Sequence, residues 1–305
     1  KSCLFGVFGN LSMCSRRLCE RDVVIWSVLC IKTKKAFLIG SRKLHIFVIS
    51  LRCDHSCPYC QVSRQSENKN KYDMSKNTAK KSVDLALSTP SLAMTFEFQG
   101  GEPLLNFDTI KYIVEYAKEK NLKLNKKIDF VVCTNLSKLN EEHLEYFKKE
   151  EVKVSTSLDG PDYVHDKNRP FGTKSSYEST IKNIKKTQEY LGKFNLSALM
   201  TTTKNSFPYW KEIIDEYRKH DLGNIFIRSL SPYGFAVKTE KAIGYNMDDF
   251  FNFYEKCVNY ILEINKSGEV FPEAYASILL KKILTPITIG YVDLEPPAGA
   301  GFDVA

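Results

Sequence analysis

The sequence lacks a long hydrophobic run. Its longest apolar stretch near the start, residues 23–31, is interrupted by Ser27 and falls far short of the ~20 residues that a membrane-spanning helix needs. We also find no export signal, so the nine cysteines do not indicate the disulfide framework of a small secreted protein. We therefore expect no transmembrane segment and a location in a reducing cytoplasm.

A compact block of like charge interleaved with aromatic residues is missing as well. The chain has 44 basic and 36 acidic residues, which give a net charge of +8. Many lysines recur in short runs, such as Lys118, Lys120 and Lys123, that are typical of solvated helix faces. The excess of positive charge therefore does not predict a nucleic-acid surface.

From residue 44 onward, short β-branched runs alternate with amphipathic segments of helical period, the pattern of βα units around a parallel sheet. Strands are predicted over residues 44–50, 93–98, 128–133, 152–157, 196–202 and 224–229. Helices are predicted over residues 75–88, 107–119, 140–149, 176–191, 207–219, 247–266 and 272–284. Six repeats predict an α/β fold, an open and partial (β/α)6 barrel, followed by C-terminal helices.

The pattern divides the chain into three parts. Residues 1–40 hold four irregularly spaced cysteines and predict no clear element. The barrel core is assigned to residues 41–235, and residues 236–305 to a helical extension whose Pro/Gly/Ala-rich end is typical of a linker or a broken-off segment.

A triplet of cysteines with the spacing C-x3-C-x2-C follows the first predicted strand, at Cys53, Cys57 and Cys60. In a parallel barrel the loops after the strands converge on one mouth, where chemistry takes place. Three closely spaced thiolates on one such loop can bind three corners of an iron–sulfur cluster, as short-spaced cysteines do in ferredoxins.

The triplet has no fourth cysteine beside it. Structural zinc sites and electron-transfer clusters both use four ligands, so three thiolates leave one metal position open to the amino and carboxylate groups of a substrate. S-adenosylmethionine (SAM) suits that role chemically. Two alternatives remain: His55 completes a Cys3His zinc site, or the cysteines are a chance cluster of free or buried thiols.

These residues resemble the signature of the radical SAM superfamily, in which an aromatic residue, here Tyr59, precedes the last cysteine. The segment after the second strand, residues 99–103, resembles the Gly-Gly-Glu-Pro motif that binds the SAM amino group. Glycines let a backbone approach a ligand closely, and Glu102 can accept a hydrogen bond from an ammonium group. The resemblance implies a TIM-like partial barrel with a [4Fe-4S] cluster on the three cysteines. It also assigns SAM binding to Tyr59, Gly100, Gly101, Glu102 and Pro103.

Two further segments resemble motifs of the same superfamily. Residues 133–135 resemble its Thr-Asn segment, and residues 155–161 resemble its Ser-Leu-Asp-Gly segment, which a His-Asp…Arg motif follows. The resemblance assigns Asn135 and Ser157 to the SAM ribose and carboxylate, with Asp159 beside them. Arg169 would pair with the carboxylate, to which a guanidinium fork is suited. By contrast, Cys133 is interpreted as a small buried thiol near the mouth, and Cys257 as a core residue.

Within the superfamily, residues 51–65 are similar to the radical SAM maturase of the His-Xaa-Ser repeat system. This likeness implies post-translational modification of a companion peptide with His-Xaa-Ser repeats, beside a second radical SAM protein and an electron donor such as flavodoxin or ferredoxin. Peptide-modifying members usually continue into a Cys-rich, SPASM-type domain with auxiliary clusters. No cysteine follows Cys257, so we expect this chain to lack that domain.

Three other functions stay open from the sequence. The chain could be a radical SAM enzyme that modifies RNA, an iron–sulfur protein that never cleaves SAM, or an inactive fragment. The motifs favour an enzyme that forms a 5'-deoxyadenosyl radical, because the predicted SAM-contacting strand ends all lie between residues 50 and 170.

Overall fold

Runs of β-branched and aromatic residues form six strands in the computed structural model, which describes residues 44–285 except Ser63 and Glu67. Such residues favour strands because their side chains pack well on a pleated surface. The strands are β1 (Leu44–Ser50), β2 (Ala93–Gly100), β3 (Lys127–Cys133), β4 (Val152–Ser157), β5 (Leu196–Thr201) and β6 (Ile227–Arg228).

Amphipathic segments form the helices between and after the strands. They are α1 (Lys69–Tyr72), α2 (Lys76–Ser88), α3 (Phe107–Leu124), α4 (Glu141–Glu150), α5 (Asp162–Asn168), α6 (Ser176–Leu191), α7 (Trp210–Lys219), α8 (Phe235–Ile243), α9 (Met247–Lys266) and α10 (Ala274–Leu284). The side chains of Ser75, Asn140, Ser175 and Asn246 cap four of these helices by accepting hydrogen bonds from first-turn amides. Caps of this kind satisfy amides that have no partner within the helix.

The six strands form one parallel sheet in the order β1-β2-β3-β4-β5-β6. This order confirms the predicted α/β fold with βα repeats. Alternate residues face opposite sides of each strand. In β2, Phe96 and Phe98 are fully buried in the core, whereas Glu97 and Gln99 are partly exposed and line a cavity on the other face.

The sixth strand is shorter than the predicted range of 224–229. On the outer side, the chain just before β6 pairs with residues 272–274 instead of with a further strand of the sheet. The backbone amide of Ile225 donates to the Pro272 carbonyl at 3.2 Å, and that of Ala274 donates to the Ile225 carbonyl at 2.8 Å. The helices α1, α5 and α8 were not predicted. The segments 1–40 and 286–305 lie outside the described residues, so the division into three parts stays a prediction. Within the described range, no helix has the length and apolar character required to cross a membrane.

Candidate functional site

A cavity of about 610 Å³ opens where the carboxyl ends of the strands meet. Its volume is in the range of small-molecule and cofactor sites. Most of the predicted site residues line it: Cys53, Cys57, Tyr59, Cys60, Gly100, Gly101, Asn135, Ser157 and Arg169. The other three, Glu102, Pro103 and Asp159, are buried in the wall behind it.

The three cysteines share the loop after β1, with Cys57 buried and the other two partly exposed. Within the described part of the chain, three potential metal donors lie within 4.8 Å of one another only at Cys53, Asp54 and His55. Three thiolates on one loop can bind three different metal atoms of an iron–sulfur cluster.

Two thiols of this loop, Cys53 and Cys57, have raised pKa values. Burial raises the pKa of Cys53 to about 12 and that of Cys57 to about 11. Thiolates, not thiols, bind metal, so loading this loop must release protons.

A buried ion pair fixes the start of the cysteine loop. Arg52 donates from Nε and Nη2 to the two carboxylate oxygens of Asp73, both at 2.7 Å, and from Nη2 to the Leu105 carbonyl at 2.6 Å. Ser50 Oγ donates to the same Asp73 carboxylate at 2.6 Å. This forked geometry holds Arg52 in one orientation, so the residue before Cys53 cannot shift freely.

The glycine pair at the end of β2 lies directly against the cysteine loop. The backbone amide of Gly101 donates to the Ser50 carbonyl, and that of Glu102 donates to the Arg52 carbonyl, both at 2.7 Å. A Cβ atom on Gly100 would lie 2.0 Å from the Ser50 oxygen, and one on Gly101 would lie 2.2 Å from the Arg52 oxygen. These glycines are therefore required for backbone-to-backbone contact, in addition to any contact with a ligand.

Glu102 joins the ends of β2 and β3. Its carboxylate accepts hydrogen bonds from Thr134 Oγ1 at 2.7 Å, from the Asn135 amide at 2.8 Å and from the Leu104 amide at 3.0 Å. Burial raises its pKa to about 7, although these hydrogen bonds oppose the shift. The side chain has no exposed surface, so it orders the cavity wall from behind.

The side chain of Asn135 reaches back to the cysteine loop. Its Nδ2 atom lies 2.9 Å from Asp54 Oδ1, 2.8 Å from His55 Nδ1 and 3.8 Å from Cys53 Sγ. Ser137 Oγ donates to Asp54 Oδ2 at 2.6 Å. Burial alone would raise the pKa of Asp54, but hydrogen bonds from His55, Ser137 and Asn135 hold it well below the ordinary value. His55 thus belongs to a hydrogen-bonded group around Cys53.

Tyr59 connects the loop to the far wall of the cavity. Its hydroxyl donates to Asp159 Oδ2 at 2.6 Å and accepts from Arg169 Nη1 at 2.7 Å. Asp159 Oδ1 also accepts from the Thr201 amide at 3.1 Å. Burial raises the pKa of Asp159, although Arg169 and Tyr59 oppose the shift. Asp159 therefore positions Tyr59 from behind, while Tyr59 and Arg169 line the cavity.

Several residues of the site were not predicted from the sequence. Arg52, Asp73 and Asp54 act through contacts distant in the chain, which carry no local signal. Glu97 and Cys133 line the cavity with their Oε1 and Sγ atoms 3.3 Å apart. Cys133 was interpreted as a buried thiol but is partly exposed. Successive residues of a strand face opposite sides, so the position of Cys133 next to the buried Val132 could have indicated that it faces the cavity. Cys257 is fully buried in the core, as predicted.

Known sequences resemble this chain over most of its described part. A family model for the radical SAM superfamily matches residues 47–241. An uncharacterised protein of Methanocaldococcus jannaschii is 29% identical over 74% of this chain and 75% of its own length. A cysteine-type anaerobic sulfatase-maturating enzyme of Clostridium novyi is 30% identical over 60% of this chain and 50% of its own. The radical SAM cyclopropyl synthase TigE of Paramaledivibacter caminithermalis is 25% identical over 67% of this chain and 44% of its own length.

Solved structures share the fold. Native anSMEcpe with bound AdoMet superposes with a TM-score of 0.68 at 20% identity, covering 81% of this chain and 67% of that one. SuiB of Streptococcus suis bound to the precursor peptide SuiA gives a TM-score of 0.61 at 15% identity, covering 91% and 61%. Together with the family match across residues 47–241, the cysteine loop and the parallel sheet identify this chain as a member of the radical SAM superfamily, whose enzymes use a [4Fe-4S] cluster and SAM.

Proposed function

We propose that this chain is a radical SAM peptide maturase, with its cluster on Cys53, Cys57 and Cys60. The observation that carries the proposal is that these three thiols line one cavity at the carboxyl ends of the strands. The same cavity offers a guanidinium, an amide and a hydroxyl, at Arg169, Asn135 and Ser157. Such groups suit a ligand that has a carboxylate, an ammonium group and a ribose.

The cavity fits the two cofactors by donor set and by size. When bound, the reduced cluster supplies the electron that cleaves SAM to methionine and a 5'-deoxyadenosyl radical, which removes a hydrogen atom from the substrate. The protein's part is to hold the substrate in position and to exclude water.

Each site residue has a role in this proposal that follows from its contacts. Arg169 pairs with the SAM carboxylate, while Tyr59 keeps the guanidinium oriented. Gly100 and Gly101 let the end of β2 lie close to both the loop and the ligand. Glu102 acts through Asn135, since its carboxylate accepts a hydrogen bond from the Asn135 backbone amide.

Three further residues complete the proposed roles. Asp159 acts through Tyr59, because its carboxylate accepts a hydrogen bond from the Tyr59 hydroxyl. Pro103 begins the turn Pro103–Asn106, whose first two residues are buried, just after the glycine pair and Glu102. Ser157 stands at the end of β4 on the cavity wall, where its hydroxyl can donate to SAM.

The substrate we propose is a peptide with His-Xaa-Ser repeats. Support comes from relatives whose names denote action on peptides or proteins: a sulfatase-maturating enzyme, and SuiB with its precursor peptide. This chain spans about half the length of the Clostridium novyi relative, so peptide modification by the whole protein is part of the proposal. A second radical SAM protein, an electron donor such as flavodoxin or ferredoxin, and a cytoplasmic location stay predictions.

The first experiment is anaerobic reconstitution with iron and sulfide, reduction with dithionite, and chromatographic measurement of 5'-deoxyadenosine formed from SAM. We expect product from the unaltered chain and none from Cys57→Ala, which should also lose its iron. Cys257→Ala is the matched control, because Cys257 is a buried thiol far along the chain in α9; it should keep both iron and product.

A synthetic peptide with two His-Xaa-Ser repeats is then added, and its mass is followed by mass spectrometry. A mass change that requires SAM and the three cysteines would support the peptide assignment. Iron retained in Cys53→Ala, Cys57→Ala and Cys60→Ala alike would refute the cluster assignment. Product formation with an unchanged peptide would refute the repeat substrate but not SAM cleavage.

A further inference from the structure

A carboxylate lies deep on the wall of the cavity. Glu97 is in the middle of β2, between the buried Phe96 and Phe98, and therefore points to the opposite face, where it lines the cavity. It precedes Gly101 by four residues, which is roughly 13 Å along a strand. From there its side chain extends toward Gln99 and Cys133, near the carboxyl ends of β2 and β3.

Glu97 is the only acidic residue among those that line this cavity in the described part of the chain. Its partners are neutral: Gln99 Nε2 donates to its carboxylate, and Cys133 Sγ lies 3.3 Å from Oε1. Three arginines also line the cavity, but each donates elsewhere. Arg64 donates to Ser56, Arg169 to Tyr59 and Arg228 to Gln61. No cation in the described range pairs with Glu97.

Aliphatic side chains flank this carboxylate on both sides. Ile46 of β1 and Val131 of β3 are the direct register partners of Glu97, and both line the cavity. Ile46 is 45% exposed although it lies within the sheet. An apolar trough that ends in an acceptor fits a side chain with an aliphatic stem and a cationic head, which is the chemistry of lysine or arginine.

We propose that Glu97 is a specificity-determining residue that binds a lysine or arginine side chain of the peptide substrate. The inference rests on the proposed function, since it assumes a peptide in the cavity. The stem packs between Ile46 and Val131, and the cationic nitrogen donates to the Glu97 carboxylate. A charged hydrogen bond in a partly buried site discriminates strongly against a neutral side chain of the same shape.

The test compares three synthetic peptides that contain one His-Xaa-Ser unit, with lysine, norleucine or glutamate at Xaa. Norleucine keeps the stem of lysine without its charge. Binding to the reconstituted full chain with SAM is measured by fluorescence anisotropy. We expect the lysine peptide to bind about tenfold more tightly than the norleucine peptide, a difference of about 1.4 kcal/mol. In Glu97→Gln this preference should disappear, and in Glu97→Lys the glutamate peptide should bind best.

Cys133→Ala is the matched control, because it removes the neighbour of Glu97 and keeps the charge; it should retain the preference for lysine. Equal binding of lysine and norleucine peptides by the unaltered chain, or no measurable binding of any peptide, would overturn the proposal. So would weaker SAM binding in Glu97→Gln with an unchanged peptide preference. Formation of 5'-deoxyadenosine is measured separately, so loss of radical chemistry is distinguished from loss of peptide selection.

Discussion

Gly100 and Gly101 show how single residues define this site. The sequence suggested that the glycines admit a ligand, and the structure gives them a second task, because the Ser50 and Arg52 carbonyls occupy the space of a Cβ atom. The amides of Gly101 and Glu102 bond to those same carbonyls. The end of β2 and the cysteine loop are therefore joined through their backbones.

We predict that Gly101→Ala destabilises the protein by about 2–4 kcal/mol and lowers iron retention, because backbone atoms, unlike a flexible side chain, cannot move aside cheaply. Urea unfolding and iron content measure the two effects. Gly223→Ala is the control, since nothing lies within 4 Å of a Cβ built there; it should change stability by less than about 1 kcal/mol. Equal stability of the two variants would contradict the prediction.

At the scale of elements, the cysteine loop is attached at both ends. The Arg52–Asp73 pair holds the start of the loop against the residue that follows α1, and Tyr59 holds its end against Asp159, beyond β4. Arg52 is only 4% exposed, so its charge depends on Asp73 for compensation. The loop is thus ordered by elements on two sides of the cavity.

Asp73→Ala should cost about 3–5 kcal/mol, because it leaves the buried Arg52 guanidinium without a carboxylate. The free energy of unfolding in urea measures the loss, and iron retention should fall with it. As a control, Asp129→Ala removes an exposed pair with Lys153 and should cost at most about 1 kcal/mol. A cost for Asp73→Ala no larger than that of the control would show that the pair does not hold the loop.

Sequence patterns located some elements better than others. The ranges 44–50, 152–157, 176–191 and 247–266 agree with β1, β4, α6 and α9, because long periodic runs carry their own signal. Helix α5 was missed since its seven residues follow Pro161 and overlap the His-Asp…Arg motif, for which no element was predicted. Strand β6 was predicted too long; before it, the backbone of Ile225 bonds to Pro272 and Ala274, far along the chain, and no local pattern indicates such a contact.

For the whole molecule, the helices after β6 complete the core of the sheet. Phe250, Phe253, Cys257 and Ile261 of α9 are buried, although the family match ends at residue 241. Glu273 binds the edge of β6 and also accepts the Tyr254 hydroxyl at 2.6 Å. The sheet therefore depends on residues beyond the superfamily region.

A chain ended after Gly244 should lose cooperative unfolding in urea, because it exposes the core that α9 covers and leaves the edge of β6 unpaired. A chain ended after Thr285 is the control, since it keeps every element described, and should unfold cooperatively. Circular dichroism in urea compares the two. Cooperative unfolding of the shorter chain at the same urea concentration would refute the dependence.

The residues of the site also differ in whether the adjacent sequence or contacts with distant residues indicate their role. Cys53, Cys57 and Cys60 were recognisable because their spacing is contained in eight adjacent residues. The contact of Tyr59 with Asp159 spans 100 residues, and that of Asn135 with Asp54 spans 81. Nothing in the sequence around either partner specifies such contacts; they arise only when the strand ends converge.

The order of the strands in space is their order in the chain, so each strand pairs with one already synthesised. The sheet can grow during translation without waiting for distant segments. The outer edge of β6 still waits for a later segment, because Glu273 is made 46 residues after Ile227. Over that interval the outer edge of β6 offers free backbone groups to other nascent chains, so a chaperone bound at this stage would protect the protein from edge-to-edge association.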